Sequence, residues 1–176
     1  DNVIEFVENL GLKPRIAKYE ELVKEDEYFC SNTVEYRFND LQKALVAEDS
    51  KAIWCINGGY GSQKILEKLD AIDRPQKEKL FIGFSDITVL LNYFVNKWNW
   101  VCIHGPMLGQ IVKNEVSKDT ISSIKDLIFG NTKAVEVKNI IALNKTAKES
   151  NEVIEDKIVG GCLSLIQAQI ATSHAV

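Results

Sequence analysis

The run Leu80-Phe81-Ile82-Gly83-Phe84 ends on Ser85-Asp86, and an apolar helical pattern from Ile87 to Asn96 follows at once. A strand that passes through a serine directly into a helix is how an α/β fold presents a hydroxyl at the carboxyl end of its sheet. The order therefore predicts a parallel sheet flanked by helices, with Ser85 at its functional edge. Ser85 also has a plainer reading, because serine is a favoured N-cap and would serve the following helix alone. Gly83 suits a close-packed elbow, but the full G-x-S-x-G pattern fails at its last position, Ile87.

The rest of the chain alternates in the same way. Ala52 to Ile56 is a continuous apolar run, the pattern of a strand buried on both faces. Val101 to Ile103 supplies another strand before His104-Gly105-Pro106. Helical spacing recurs at Val3, Ile4, Val7 and Leu10, with Gly11 as a C′ residue. It returns at Val34, Phe38, Leu41 and Leu45 within residues 34–46, at Ile65, Leu66 and Leu69, and from Ser117 to Phe129 before Gly130. Leu12 to Ala17 reads as a short strand, and Glu20 to Asn32 as a polar loop. Together these predict an α/β fold with a doubly wound, mostly parallel sheet over residues 1–132. The pattern opens on a helix where such domains open on a strand, so a first strand is expected ahead of Asp1. Beyond Gly130, Ala134 to Leu143 and Val153 to Val159 read as strands with no helix between them. Gly160-Gly161 then leads into a helix from Cys162 to Ala171. Residues 133–176 are thus read as the start of a second domain.

Composition narrows the function classes. Of the 176 residues 45% are hydrophobic and 26% charged, with a net charge of −4, which is ordinary for a soluble globular chain. The charges are mixed along the sequence, so no basic stripe points to nucleic acid. No apolar run reaches the length of a membrane span, and no signal-peptide pattern opens the chain. Cys30, Cys55, Cys102 and Cys162 form no CxxC pair, and Cys55 and Cys102 lie in apolar runs where cysteine acts as a small hydrophobe. A reduced, cytoplasmic setting is the simpler expectation. Two distant histidines and scattered cysteines match no metal-ligand spacing, and no cofactor is implied.

Candidate chemistry gathers at the strand ends. The backbone N–H of Asp86 would point toward a carbonyl held at Ser85, near the positive end of the following helix. Asn57-Gly58-Gly59-Tyr60-Gly61-Ser62 follows a strand directly, and such a loop turns N–H groups toward an anion or an oxyanion, or is a plain tight turn. It lacks the lysine and spacing of a P-loop. Gly59 is the expected second oxyanion donor. His104, at another strand end, falls on the same face as Ser85 and is read either as a base or as structural. His174 is expected to fray near the terminus.

Gly58-Gly59-Tyr60-Gly61-Ser62, Gly83-Phe84-Ser85-Asp86-Ile87-Thr88 and His104-Gly105-Pro106-Met107, in this order and spacing, resemble the LD-carboxypeptidase family of serine peptidases. That family includes murein tetrapeptide carboxypeptidases and microcin C self-immunity proteins. Arg37 with Asp40-Leu41 resembles the helix that precedes its glycine loop. Gly160-Gly161-Cys162-Leu163-Ser164-Leu165 resembles its GGNLSLL stretch, with Cys162 in place of asparagine. The resemblance implies that Ser85 is the nucleophile and that the N–H groups of Asp86 and Gly59, with Gly58 as the alternative, form the oxyanion hole. Gly58, Tyr60, Gly61, Ser62 and His104 would then contact the substrate. It implies release of terminal D-alanine from a murein tetrapeptide in peptidoglycan recycling, and a homodimer. The family's triad glutamate and histidine lie downstream of GGNLSLL. The chain is therefore expected to be truncated at both ends and to have little activity alone. The alternatives are a hydrolase of a peptide-nucleotide antibiotic and a non-catalytic muropeptide-binding remnant.

Overall fold

The computed structural model describes residues 2–17, 30–137, 139–155 and 158–175. The expected polar loop over 20–32 lies outside these residues for positions 20–29. In chain order the elements are α1 (Asn2–Asn9), α2 (Val34–Val46), β1 (Ala52–Trp54), α3 (Leu66–Asp70), β2 (Leu80–Gly83), α4 (Thr88–Trp98), β3 (Cys102–His104), α5 (Leu108–Val112), α6 (Lys118–Ile128), α7 (Lys145–Glu149) and α8 (Leu163–Gln169). Short 3-10 turns, Ser62–Ile65 and Ser85–Ile87, lead into α3 and α4. The chain divides into two compact units, one made of residues 1–116 and 160–176, the other of Ser117–Val159.

The first unit is an α/β layer structure on a parallel sheet of order β1-β2-β3. Ile53 lies beside Phe81 and Phe81 beside Cys102, while Trp54 lies beside Ile82 and Ile82 beside Ile103. Because side chains alternate across a strand, these two rows face opposite layers. The Ile53–Phe81–Cys102 row joins a core with Leu45, Leu69, Leu90 and Phe94, supplied by α2, α3 and α4. Aromatic rings thicken it: Phe81 meets Phe94 edge-on at 4.7 Å, and Trp98 and Trp100 stack beside Phe94. On the other face Trp54 meets Phe6 of α1 at 6.3 Å, and α1 packs on α5. Helices thus cover both faces.

The sheet corrects one sequence expectation and refines another. β1 is half-buried rather than buried on both faces, because it sits at an edge of the order and β2 takes the centre. Leu12 to Ala17 forms no strand; the chain closes α1 through bonds from Gly11 and Leu12 N–H to Glu8 and Val7 carbonyls, with Gly11 at φ +79°.

α2 shows how local and distant signals meet. Thr33 caps it, its hydroxyl accepting from the Tyr36 N–H at 3.2 Å. The far end is closed by Lys79, 1% exposed, whose ammonium donates to the carbonyls of Ala44 (2.7 Å) and Ala47 and to Ser50 Oγ (2.6 Å). A cation at a helix C-terminus satisfies orphan carbonyls and opposes the negative end of the dipole. Burial pushes the Lys79 pKa down, with Asp49 acting in the opposite sense.

The second unit holds α6, capped by Ser117 through the Thr120 N–H (3.2 Å), and α7, capped by Asn144 through the Ala147 N–H (2.8 Å). The strands expected over 134–143 and 153–159 are absent among the described residues. Their β-rich composition finds no ladder partner, and Ile140, Ile141, Leu143, Val153 and Ile158 stand exposed. Among the described residues no helix is long and apolar enough to cross a membrane.

Replacing Lys79 with methionine keeps the aliphatic stem but strands the Ala44 and Ala47 carbonyls. The urea midpoint is expected to fall by an amount equivalent to roughly 1–3 kcal/mol, with an unchanged slope.

Candidate active site

Parallel strands bring their carboxyl ends to one edge. Residues 57–61 after β1, Ser85 after β2, and His104 with residues 105–107 at the end of β3 therefore meet there. Backbone bonds lock the three: Gly105 N–H to Gly83 O (2.9 Å), Leu108 N–H to Cys55 O (3.1 Å) and Gly109 N–H to Ile56 O (2.8 Å). Trp54 Nε1 adds a bond to Pro106 O at 2.8 Å.

Ser85 sits at φ +60°, in the left-handed region that L-residues with a side chain rarely adopt. Such a residue costs of order 1–3 kcal/mol and persists only where its surroundings over-determine it. It does not act as a helix cap. The residue flanking the 3-10 turn is Phe84, no side-chain cap bond forms there, and the Ser85 hydroxyl has no hydrogen-bond partner among the described residues. Gly83 is forced by the same turn, since a Cβ there would lie 2.4 Å from Ile87 Cγ2.

The glycine loop comes against this turn. A Cβ on Gly58 would sit 3.3 Å from Ser85 Cβ, whereas nothing lies within 4 Å of one on Gly59, which has φ +130°. Gly61 is at φ +101°, and its carbonyl accepts from Arg37 Nη1 at 3.0 Å; Arg37 Nε donates to Asn32 O at 3.1 Å. Ser62 is buried, and both its N–H (2.9 Å) and its hydroxyl (2.6 Å) donate to Asp86 Oδ2. Tyr60 is half-exposed, with Lys64 Nζ 5.7 Å from its ring centre. A pocket of about 410 Å³ lies at this loop, lined by Arg37, Leu41, Ile53, Asn57, Ser62 and Asp86 among others.

The two histidines are apart from one another in role. His104 ends β3 beside Gly83, exposed, its ring edge-on to Phe84 at 5.3 Å. His174 does not fray: its ring is 10% exposed and Nε2 lies 2.7 Å from Asp70 Oδ2, while Tyr93 donates to Asp70 Oδ1 at 3.0 Å. Desolvation pushes the Asp70 carboxyl up. The bonds from His174 and Tyr93, with the charges of His174 and Lys97, outweigh it and hold the group below the usual range. Burial pushes the Cys55 and Cys102 thiols up to about 12, which leaves them inert as nucleophiles. No cluster of metal-ligating side chains occurs among the described residues.

Gly161 and Cys162 close over the helix that follows Ser85. The Cys162 N–H donates to Thr88 Oγ1 at 3.1 Å, and a Cβ on Gly161 would lie 2.4 Å from Thr88 Cγ2. Sequence reasoning marked the Gly-Gly pair and Arg37 only as motif elements. Their partners, Thr88 and the Gly61 carbonyl, carry no periodic signal, and neither does the pairing of Ser62 with the Asp86 carboxylate.

A parallel α/β sheet with a left-handed serine between strand and helix, faced by a glycine loop, defines an α/β fold with a strand–serine–helix elbow at its carboxyl edge. The sequence profile of the LD-carboxypeptidase N-terminal domain matches residues 1–105, and the chain belongs to that family. A protein of Rickettsia conorii that carries a carboxypeptidase name is 37% identical over 84% of this chain and 47% of its own length. The murein tetrapeptide carboxypeptidase of Pseudomonas aeruginosa is 28% identical over 82% of this chain and 47% of its own length. The crystal structure of an MccF-like protein from Bacillus anthracis is similar at a TM-score of 0.60 and 25% identity, over 71% of this chain and 37% of that one. The chain thus spans about half the length of the curated relatives it matches.

Gly83→Ala is expected to destabilise the fold by roughly 1–3 kcal/mol through overpacking against Ile87. In Gly83→Ala/Ile87→Ala the two losses, read in thermal melts, should add to less than the sum of the single variants, because the alanine at 83 then fills part of the space that Ile87 vacates. For Asp70, the lowered folded pKa means its contribution is present above the unfolded value near 4 and is lost as pH falls through the folded one. Asp70→Asn should therefore melt lower than the unsubstituted chain at pH 6–7, and the gap should shrink below about pH 4.

Proposed function

We propose that Ser85 is the nucleophile of an LD-carboxypeptidase that hydrolyses the L-to-D peptide bond of murein tetrapeptides and releases terminal D-alanine during cytoplasmic peptidoglycan recycling. The observation that carries this is the left-handed Ser85 at the end of the central strand, its hydroxyl unbonded among the described residues and the glycine loop packed against it. Ser85 Oγ attacks the scissile carbonyl. The Asp86 N–H and a glycine-loop N–H, from Gly59 or its neighbour Gly58, hold the tetrahedral oxyanion. Tyr60 and His104 flank the strand ends as substrate contacts.

A serine hydroxyl is a weak nucleophile until a base takes its proton. Among the described residues no histidine or carboxylate bonds to Ser85: His174 is engaged by Asp70, and Asp86 by Ser62. The reading therefore places the base outside the described residues. The 176 residues alone should turn over at least roughly 10³-fold below a complete triad.

Hydrolysis of a peptide-nucleotide antibiotic is the second reading, favoured by the likeness to an MccF-like protein. The test is D-alanine release from a disaccharide tetrapeptide, run beside a peptide-nucleotide substrate, with the chain and its Ser85→Ala variant. Slow release abolished by Ser85→Ala supports the proposal, and the faster substrate assigns the class. Release that survives Ser85→Ala sinks it, as does tetrapeptide binding with no product from either protein.

A further inference from the structure

The two expected oxyanion donors belong to different segments. Asp86 follows β2, and the glycine loop follows β1. Donors must lie 2.7–3.1 Å from the developing oxyanion, and a site loosened by about half an ångström loses its effect. The loop is poorly restrained by its own backbone, because Gly59 and Gly61 both adopt positive φ and glycine gives up the most conformational freedom on ordering. Something else must fix its distance from the serine turn.

We propose that the Asp86 carboxylate is a positioning residue for the oxyanion hole, pinning the glycine loop to the nucleophile turn through Ser62. This rests on the reading of Ser85 as nucleophile. Asp86 Oδ2 accepts both the N–H and the hydroxyl of Ser62, across 24 residues of sequence. Asp86 is 6% exposed and Ser62 4%, so both bonds are shielded from competing water. A carboxylate in the first turn of a helix ordinarily serves that helix's own N–H groups. This one reaches to another segment instead. Arg37 holds the preceding carbonyl, Gly61 O, so the loop is tied at two consecutive residues by two charged side chains. With Ser62 fixed, Gly58 comes to rest where a Cβ would meet Ser85 Cβ at 3.3 Å. The residue that lends its N–H to the hole thus also sets, through its side chain, the position of the second donor.

The test uses Ser62→Ala, which removes the hydroxyl but keeps the N–H bond, and Asp86→Asn, which removes the charge but keeps an acceptor. Amide hydrogen exchange is read at the end of the loop, at Ser62 and Lys64, whose N–H groups are bonded to Asp86 Oδ2 and Gly61 O, and at Phe81 and Ile82 of β2. Affinity is read for a peptide boronate, with boron in place of the scissile carbonyl carbon, and for the uncleaved tetrapeptide. Exchange in the loop should quicken about tenfold in each variant while β2 is unchanged. The boronate, which fills the oxyanion hole as an adduct, should bind about tenfold more weakly and the tetrapeptide less than about twofold. Unchanged loop exchange, equal weakening of both ligands, or equal quickening in β2 overturns the clamp. Absence of a boronate adduct on Ser85 in the unsubstituted chain, read by mass spectrometry, overturns the nucleophile reading and the proposal with it.

Discussion

Ile87 occupies the volume that any side chain at position 83 would need, and the rest of the edge depends on that exchange. With residue 83 reduced to glycine, the chain leaves β2 and enters α4 within a few residues. The cost is a left-handed Ser85. Strain of that kind is retained only where neighbours hold both sides. Upstream, the Gly83 carbonyl is taken by the Gly105 N–H; downstream, Asp86 is bound to Ser62 and Thr88 to the Cys162 N–H. The turn is therefore anchored from three separate stretches of sequence.

Charged side chains do much of this anchoring. Arg37 leaves α2 sideways to hold the glycine loop, while Lys79 closes the end of the same helix. Each places a cation on backbone carbonyls rather than on a carboxylate, so neither needs a buried ion pair with its heavy desolvation cost. Carbonyls at helix and loop ends have spare lone pairs that the helix or loop itself leaves unmet. One thirteen-residue helix is in this way connected both to the start of the central strand and to the edge where the glycine loop meets Ser85.

What the sequence revealed follows from which interactions are periodic. α2 was legible in its extent, since Val34, Phe38, Leu41 and Leu45 repeat at helical spacing; its Thr33 cap emerges only in the structure. Ser85 at a strand-to-helix turn was visible because strand and helix abut without a loop. Burial of β1 was overestimated, as an apolar run does not reveal whether its strand lies at the centre or the edge. Ile140, Ile141 and Leu143 carry high β propensity, which describes fit to a pleated neighbour and fails when none is there. His174 was read as loose because terminal position is a local cue, while Asp70 and Tyr93 are supplied from afar.

The bond from the Cys162 N–H to Thr88 joins residues 74 apart and makes the first unit discontinuous in sequence. During synthesis the helix behind Ser85 emerges long before the segment that covers it. Leu165, which packs on the same core, is equally late. Loop closure over such a span is slow, and contacts of this range lengthen the search for the native state. The Ser85 turn can thus be in place, with its sheet already paired, while the helix that follows it still lacks its last neighbour. The covering of that helix therefore waits on a segment made 74 residues later.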